Sequence, residues 1–293
     1  MKKGTIITLL ISIILMIVGG CMAAVGYGMG GWAAALELAE KSPYLNLANG
    51  SMSITYDDFG TREIVGDYTY TYDCSNVSKL ILDLGSVNAR VVDNTTDDKI
   101  RVTVTNCKYG VEELKDSLSL KFIGIENKKS EAVIEIPKGH DFYLAKLNAG
   151  ASNVTVDSLM VGYLYINVGA GDVKINELIS SEDSQIDLGA GNLEIKSCKL
   201  NNADMQCGAG NIDLAGLING SLNVDCGMGN VSMSLKDKSA NHNLYLEAAL
   251  GNVHLNGKNY AGIVDAEEES EDAYSDYNIE CSMGNIDITF TED

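Results

Sequence analysis

The stretch that decides the fold is Ile166–Ile175, which reads INVGAGDVKI. Apolar and polar residues alternate on both sides of a Gly-x-Gly turn. Alternation at period two is typical of a strand with one buried face, and glycine accepts the positive φ that tight turns require. The stretch therefore predicts two short strands joined by a glycine turn. The same motif recurs at 147–156, 186–195, 205–214, 224–233, 246–255 and 279–288, with a weaker copy at 82–91.

The position after the second glycine sets the register of the repeat. It holds an amide or a carboxylate in every full copy: Asn153, Asp172, Asn192, Asn211, Asn230, Asn252 and Asn285. Successive spacings are 19, 20, 19, 19, 22 and 33 residues, so the period is 19 to 20. We predict that these side chains stack as a structural turn ladder, bonding to one another and to turn backbone. Mostly neutral amides, one for each repeat, supply too little charge for calcium.

The alternation also assigns the inward side chains. In two consecutive repeats they are Leu164, Ile166, Val168, Val173, Ile175 and Leu178, then Ile186, Leu188, Leu193, Ile195 and Cys198. One repeat cannot bury its apolar face alone, whereas stacked repeats can. We therefore predict an all-β fold, a right-handed or roll-like β-solenoid of about 19–20-residue coils, preceded by one N-terminal transmembrane helix.

Three cysteines share the inward position just before the turn. Cys207, Cys226 and Cys281 are equivalent there to Ala149 and Val168. A disulfide between neighbouring coils is one interpretation, because such positions lie within the Cα range of a bridge. The equivalence with small apolar residues favours reduced thiols that fill core space.

The N-terminus predicts an anchor. Lys2 and Lys3 precede an apolar run that continues through Val25 with no charge before Glu37. This length suits a membrane span, and the lysines place the N-terminus in the cytoplasm. The alternative is a lipoprotein, in which Cys21 is lipidated. Both give a cell-membrane protein with an extracytoplasmic C-terminal domain.

Three boundaries divide the chain into four predicted segments. Residues 1–31 are predicted as the transmembrane anchor and 32–67 as a juxtamembrane helix and linker. The β-solenoid domain is predicted over 68–293. Within it, 68–146 form an N-terminal cap region, and 147–293 carry the repeats with an acidic surface loop at 257–276.

Charge and motif content limit the function classes. The net charge of −20 opposes nucleic-acid binding. The seven cysteines contain no CxxC pair for zinc, and each glycine turn leads into a strand rather than the helix that a phosphate loop needs. Asp187, Glu194, Asp213, Asp225 and Asp287 face outward singly, and the three histidines have no evident partners. The sequence therefore assigns no catalytic, cofactor-binding or metal residue and predicts no enzyme.

The repeats behind a Lys-Lys-led anchor resemble the putative-adhesin family of bacterial membrane-anchored β-strand-repeat envelope proteins, a domain-of-unknown-function family. The resemblance covers roughly residues 72 to 290. It implies an extracytoplasmic β-solenoid with no established catalytic residues.

Three functions remain open. The first is a non-catalytic cell-envelope protein for adhesion to, or interaction with, wall, carbohydrate or protein. The second is an envelope-stress sensing module acting with a membrane partner, and the third a carbohydrate-active β-helix enzyme. The expected partners are the membrane and an envelope protein or carbohydrate, with no nucleic acid and no cofactor.

Overall fold

The computed structural model describes strands at 45–48 and 51–54 and residues 61–292, with 261–265 described by backbone alone. Within this part of the chain, no helix combines the length and the apolar character needed to cross a bilayer. The predicted anchor 1–31, Cys21 and the juxtamembrane helix lie outside the described residues. The chain divides into two compact units, Met1–Asp58 and Phe59–Asp293.

The described residues form an all-β protein. In the first unit, β1 (Leu45–Ala48) pairs antiparallel with β2 (Ser51–Ile54), within the predicted linker. The second unit contains β3 (Arg62–Asp73), β4 (Lys79–Leu84), β5 (Asn88–Asn94), β6 (Lys99–Leu114), β7 (Ser117–Gly124), β8 (Glu131–Pro137), β9 (Asp141–Ala151), β10 (Val154–Ala170), β11 (Val173–Ala190), β12 (Leu193–Ala209), β13 (Ile212–Ile218), β14 (Leu222–Met228), β15 (Val231–Leu235), β16 (His242–Leu255), β17 (Lys258–Glu268), β18 (Ser275–Met283) and β19 (Ile286–Phe290), with a short 3₁₀ helix at Ser239–Asn241.

Parallel pairing at the repeat period builds most of the second unit. Before the turn, Ile166 pairs with Ile186 and Ile186 with Met205. After the turn, Val173 pairs with Leu193. Each repeat therefore makes one coil, and equivalent residues of successive coils lie side by side. The strands β3 to β19 form one hydrogen-bonded sheet that closes on itself.

The inward side chains form a continuous apolar core. All eleven inward residues predicted for the two quoted repeats are buried, and Val173, Leu178 and Ile186 have no exposed surface. Cys207, Cys226 and Cys281 lie side by side in the same interior column as buried free thiols. This agrees with the prediction that they pack as small core residues.

The coil order at the N-terminal end differs from the chain order. The coil of β4 and β5 lies between the later coil of β7 and β8 and that of β9 and β10. The segment 68–146, expected to be a cap region, therefore supplies two coils of the stack. The N-terminal end of the stack is covered by β6 and β3. The strand β6 pairs antiparallel with β7 and β8, and β3 pairs antiparallel with β6.

A second exchange occurs at the C-terminal end. The last coil, β18 with β19, pairs on one side with β14 and β15 and on the other with β16. It is therefore inserted ahead of a coil that precedes it in sequence. The connecting residues include β17, which pairs antiparallel with β16. The expectation of a surface loop over 257–276 is thus corrected, because 258–268 form a strand that covers the outer edge of β16.

Candidate binding face

The structure brings the seven predicted ladder residues together in one column. The backbone N–H of each donates to the Oδ1 atom of the residue in the adjacent coil. The distances lie between 3.0 and 3.1 Å for Asp172 to Asn153, Asn192 to Asp172, Asn211 to Asn192, Asn230 to Asn211, Asn285 to Asn230 and Asn252 to Asn285. From Asn192 onward the Nδ2 group also donates to the same oxygen.

Two features of this asparagine ladder were not predicted. Asn88 is an eighth member, because the N–H of Asn153 donates to its Oδ1 atom at 3.1 Å. The sequence did contain an indication of this residue, because Asn88 lies in the weaker copy of the motif at 82–91. Asn285 also lies between Asn230 and Asn252, as the coil exchange requires. With their hydrogen bonds directed along the stack, these side chains join coils to one another.

Replacing one ladder residue should weaken the stack. Asn211→Ala removes the acceptor for two groups of Asn230 and the donor to Asn192. At roughly 0.5–1.5 kcal/mol for each net hydrogen bond, and with partial replacement by water, we expect a loss of about 1–3 kcal/mol in unfolding free energy. Urea titration followed by circular dichroism measures it. Asn76→Ala is the control, because Asn76 is exposed and lies outside the ladder; an equal effect would contradict the role of the ladder.

A groove runs across the coils beside the turns. Its wall is an outward column, one residue from each coil, formed by Asn167, Asp187, Gln206 and Asp225. Its floor is a column of glycines two positions further on: Gly169, Gly189, Gly208 and Gly227. The first groove encloses about 430 Å³.

The glycine floor follows from how closely the coils approach. A Cβ atom on Gly189 would lie 2.5 Å from the carbonyl oxygen of Gly169, and one on Gly208 would lie 2.6 Å from that of Gly189. Real Cβ atoms do not approach backbone oxygens so closely. The spacing of the coils therefore excludes side chains from this column and leaves it open to a ligand.

A second groove of about 280 Å³ lies on the same strands, one step before the first. Its outward column is Tyr165, Gln185, Asp204 and Asn223. Asp183, Asn202 and Ser221 also line it, and the Nδ2 of Asn202 donates to Asp183 at 2.9 Å. The two grooves form one surface, which we call the polar face. Two of the singly placed outward carboxylates, Asp187 and Asp225, thus share this face.

Asp187 and Ser184 are residues of the polar face that carry a buried oxygen atom without a hydrogen-bond partner in the described structure, and Asp187 is the one that lines the first groove. Its Oδ2 atom accepts from Nε2 of Gln185 at 3.0 Å, whereas its Oδ1 atom is buried without a hydrogen-bond partner in the described structure. Burial raises the pKa of this carboxyl above its ordinary value, against the lowering effect of the Gln185 amide. A buried acceptor without a donor costs roughly 1–3 kcal/mol. Asp187 as a residue is only half-buried and lines the first groove, so rotation of its carboxylate would expose the Oδ1 atom to a hydrogen-bond donor on a ligand.

Aromatic side chains border the second groove. The rings of Tyr143 and Tyr163 meet edge to face with centroids 5.5 Å apart. Tyr143 is 57% exposed and Tyr165 is 37% exposed. The Lys146 ammonium lies over the ring of Tyr165. The charge of Glu182 is the largest cause that raises the pKa of Tyr163, and Asp183 adds to it. These tyrosines were not predicted as site residues, although their alternate, outward-facing positions along the strands could have indicated them.

Glu194 and Asp213 lie after the turn of their coils, on a part of the closed sheet outside the polar face. They pair side by side after the turn, and Lys174 lies 2.9 Å from the Glu194 carboxylate. Asp287 lies in the same sheet beside His254, with 3.7 Å between Oδ2 and Nδ1. None of these groups lines either groove of the polar face.

His242 corrects the expectation that the histidines have no partners. Its Nδ1 atom lies 2.7 Å from the Ser275 hydroxyl and its Nε2 atom 3.2 Å from Asp237. Because a carboxylate only accepts, Nε2 carries the proton and neutral Nδ1 accepts from Ser275. This order resembles a hydrolase triad. However, the ring is 1% exposed and stacks on Tyr277 at 4.1 Å, and none of the three residues lines a described groove. We interpret the cluster as the joint between β16 and β18.

The cluster predicts lower stability in acid. Burial lowers the pKa of His242, despite the opposing effect of Asp237. The unfolded chain, with a histidine pKa of about 6.5, therefore binds the proton more tightly than the folded chain. Stability is retained above that pH and falls as the pH decreases below it. We expect the unfolding free energy to drop more between pH 7.5 and 5.5 for the native chain than for His242→Gln, measured by urea titration. His140 and His254 remain in both, so equal drops would contradict the assignment.

Comparison with known proteins finds one family and several solved structures. Residues 77–289 match the model of the family described as Toastrack DUF4097. The predicted resemblance to a putative-adhesin family of unknown function is confirmed by this match. No curated protein matches the chain.

Three solved structures are similar over most of their length. A putative cell adhesion protein from Clostridium sporogenes is 18% identical, with a TM-score of 0.34, covering 76% of this chain and 97% of that one. A putative adhesin from Bacteroides fragilis is 15% identical, with a TM-score of 0.39 and coverages of 76% and 97%. A putative lipid binding protein from Parabacteroides distasonis is 11% identical, with a TM-score of 0.38 and coverages of 78% and 98%.

Proposed function

This chain belongs to the Toastrack DUF4097 family, and from that premise we propose that it is a non-catalytic protein of the bacterial cell envelope. Its β-solenoid domain binds wall, carbohydrate or protein through the polar face. The observation that carries the proposal is the pair of adjoining grooves, which take one set of outward side chains from each coil. A ligand site is typically a cleft of roughly 300–1,000 Å³ with a few convergent polar groups, and the first groove fits this description.

The proposed location rests on the N-terminal sequence. A single transmembrane helix within residues 1–31 holds the N-terminus in the cytoplasm and the domain outside. Protease added to intact cells or spheroplasts should then digest the domain, whereas a cytoplasmic marker survives. The variant Cys21→Ser should stay in the membrane fraction at unchanged size. Loss of anchoring in this variant would favour the lipoprotein alternative.

Site-specific crosslinking tests the polar face. A photoreactive amino acid replaces Gln206 in the first groove, or Asp213 outside the polar face, in the full-length chain expressed in its host. We expect envelope adducts from position 206 and few from position 213. Adducts from 213 alone, or from neither position, would contradict binding through the polar face. A single integral membrane protein as the main adduct would favour the sensing module.

A further inference from the structure

We propose that the polar face binds a linear, neutral glycan that lies along the stack of coils. This inference rests on the proposed function and names the ligand class. The two grooves take their lining from four consecutive coils, beginning with the coil of Tyr165 and Asn167 and ending with that of Asn223 and Asp225. At a strand spacing of about 4.8 Å, four coils span roughly 14 Å. That length suits several sugar units rather than one.

The groups in the grooves match hydroxyl chemistry. A sugar hydroxyl can both donate and accept a hydrogen bond. The side-chain amides of Asn167, Gln206 and Asn223 can serve as the partner in either case, and the carboxylates can accept from the hydroxyl. The Oδ1 atom of Asp187 has no donor within the described structure, and rotation of this groove-lining carboxylate would bring it to a sugar hydroxyl in the first groove. Sites built to bond a ligand hydroxyl discriminate strongly against ligands that lack it.

The tyrosines offer the second element of glycan recognition. Tyr143 and Tyr163 lie on neighbouring coils at the border of the second groove, and Tyr165 lines it. A tyrosine ring presents a large apolar face with a polar hydroxyl at its tip. The apolar face of a sugar ring can pack on such a surface while its hydroxyls reach the adjacent amides.

Two other polymers fit less well. An extended peptide binds a sheet through an open strand edge, but the backbone groups of these strands are already paired between coils. An anionic glycan would meet Asp183, Asp187, Asp204 and Asp225, and the Lys146 ammonium over the Tyr165 ring, at one end of the second groove, offsets only part of this negative charge. At low salt, the groove carboxylates repel the negative charges of such a glycan over a distance of about one Debye length. The face therefore favours a neutral chain over an anionic one.

Calorimetric titration of the purified full-length chain tests the inference. The probes are neutral glucan and chitin oligosaccharides of two to six units, a polygalacturonate oligosaccharide of six units and a lysine-rich peptide. We expect affinity for at least one neutral series to rise at least tenfold between two and four units. At low salt, we expect the uronate to bind at least tenfold more weakly than the neutral hexamer.

Matched variants separate binding from folding. Asp187→Ala should lower the affinity at least tenfold without lowering stability, because it removes an unsatisfied carboxylate. Asp213→Ala removes an exposed carboxylate outside the polar face and should change neither affinity nor stability. Tighter uronate binding, no dependence on length, no neutral binding, or unchanged affinity in Asp187→Ala would each overturn the inference. If only the lysine-rich peptide binds, or if crosslinking at Gln206 captures protein, the polar face still binds a partner but the glycan is excluded.

Discussion

Gly210→Ala is expected to destabilise the domain by about 4 kcal/mol or more. Gly210 has φ of +150°, and a Cβ atom there would fall well inside contact distance of the Gly191 carbonyl oxygen of the adjacent coil. The same collision recurs along the column, at Gly191 against Gly171 and at Gly229 against Gly210. The coils must therefore separate or the turn must refold, and both break parallel hydrogen bonds. Changes of this size are diagnostic of backbone conflict.

Gly139→Ala is the matched control. Gly139 also has a positive φ, +77°, but a Cβ atom there would meet nothing within 4 Å. Its cost is restricted to the left-handed backbone, about 1 kcal/mol. Urea titration of both variants compares them. Equal losses would mean that φ alone, and not the approach of the coils, requires glycine in the turns.

Asp237→Ala has the second largest expected effect, a loss of about 3 kcal/mol. The buried carboxylate accepts hydrogen bonds from the Lys238 backbone at 2.8 Å, Asn241 at 2.5 Å, Tyr274 at 2.8 Å and His242 at 3.2 Å. Alanine leaves these donors without an acceptor, and the buried His242 N–H cannot reach water. Each buried donor left without an acceptor costs roughly 1–3 kcal/mol, whereas exposed donors can bond to water instead and cost less.

The control for this variant is Asp276→Ala. Asp276 is exposed and accepts from Asn243 alone in the described hydrogen bonds. Thermal unfolding should show a clear decrease in Tm for Asp237→Ala and little change for Asp276→Ala. A small effect at Asp237 would mean that the joint between β16 and β18 depends on apolar stacking rather than on the carboxylate.

The regular part of the fold was predictable because its causes repeat. Alternation placed Val173 and Ile186 in the core, and the Asn or Asp after each turn set the pairing register. Both signals are local and occur once in every coil, so each copy supports the others. The all-β fold and the inward set followed from them.

The coil order could not be read in the same way. Asn252 and Asn285 occupy equivalent motif positions, so either could follow Asn230, and local sequence does not decide between them. The strand β17 was missed because its acidic C-terminal part carries the composition of a solvated loop. The choice depends on contacts between distant segments.

The grooves were hidden for a related reason. The outward column changes identity from Asn167 to Asp187 to Gln206, so no periodic signal marks it. Its depth comes from the glycines, which we interpreted only as turn residues. The partners of His242 come from chain segments up to 33 residues away, beyond the reach of a local motif.

The exchanged C-terminal coils have a consequence for how the chain folds. The coil of Asn285 must close a loop of 55 residues to reach Asn230, whereas that of Asn252 lies only 22 residues from the same place in the sequence. Loop closure is less costly for the shorter separation, so the nearer coil can dock first in a position that belongs to the later one. Refolding must then release it before the native order forms. We expect a slow refolding phase that disappears when residues 242–255 are prevented from pairing early. During synthesis, the edge of β14 stays without its native partner until β18, near the end of the chain, has been made.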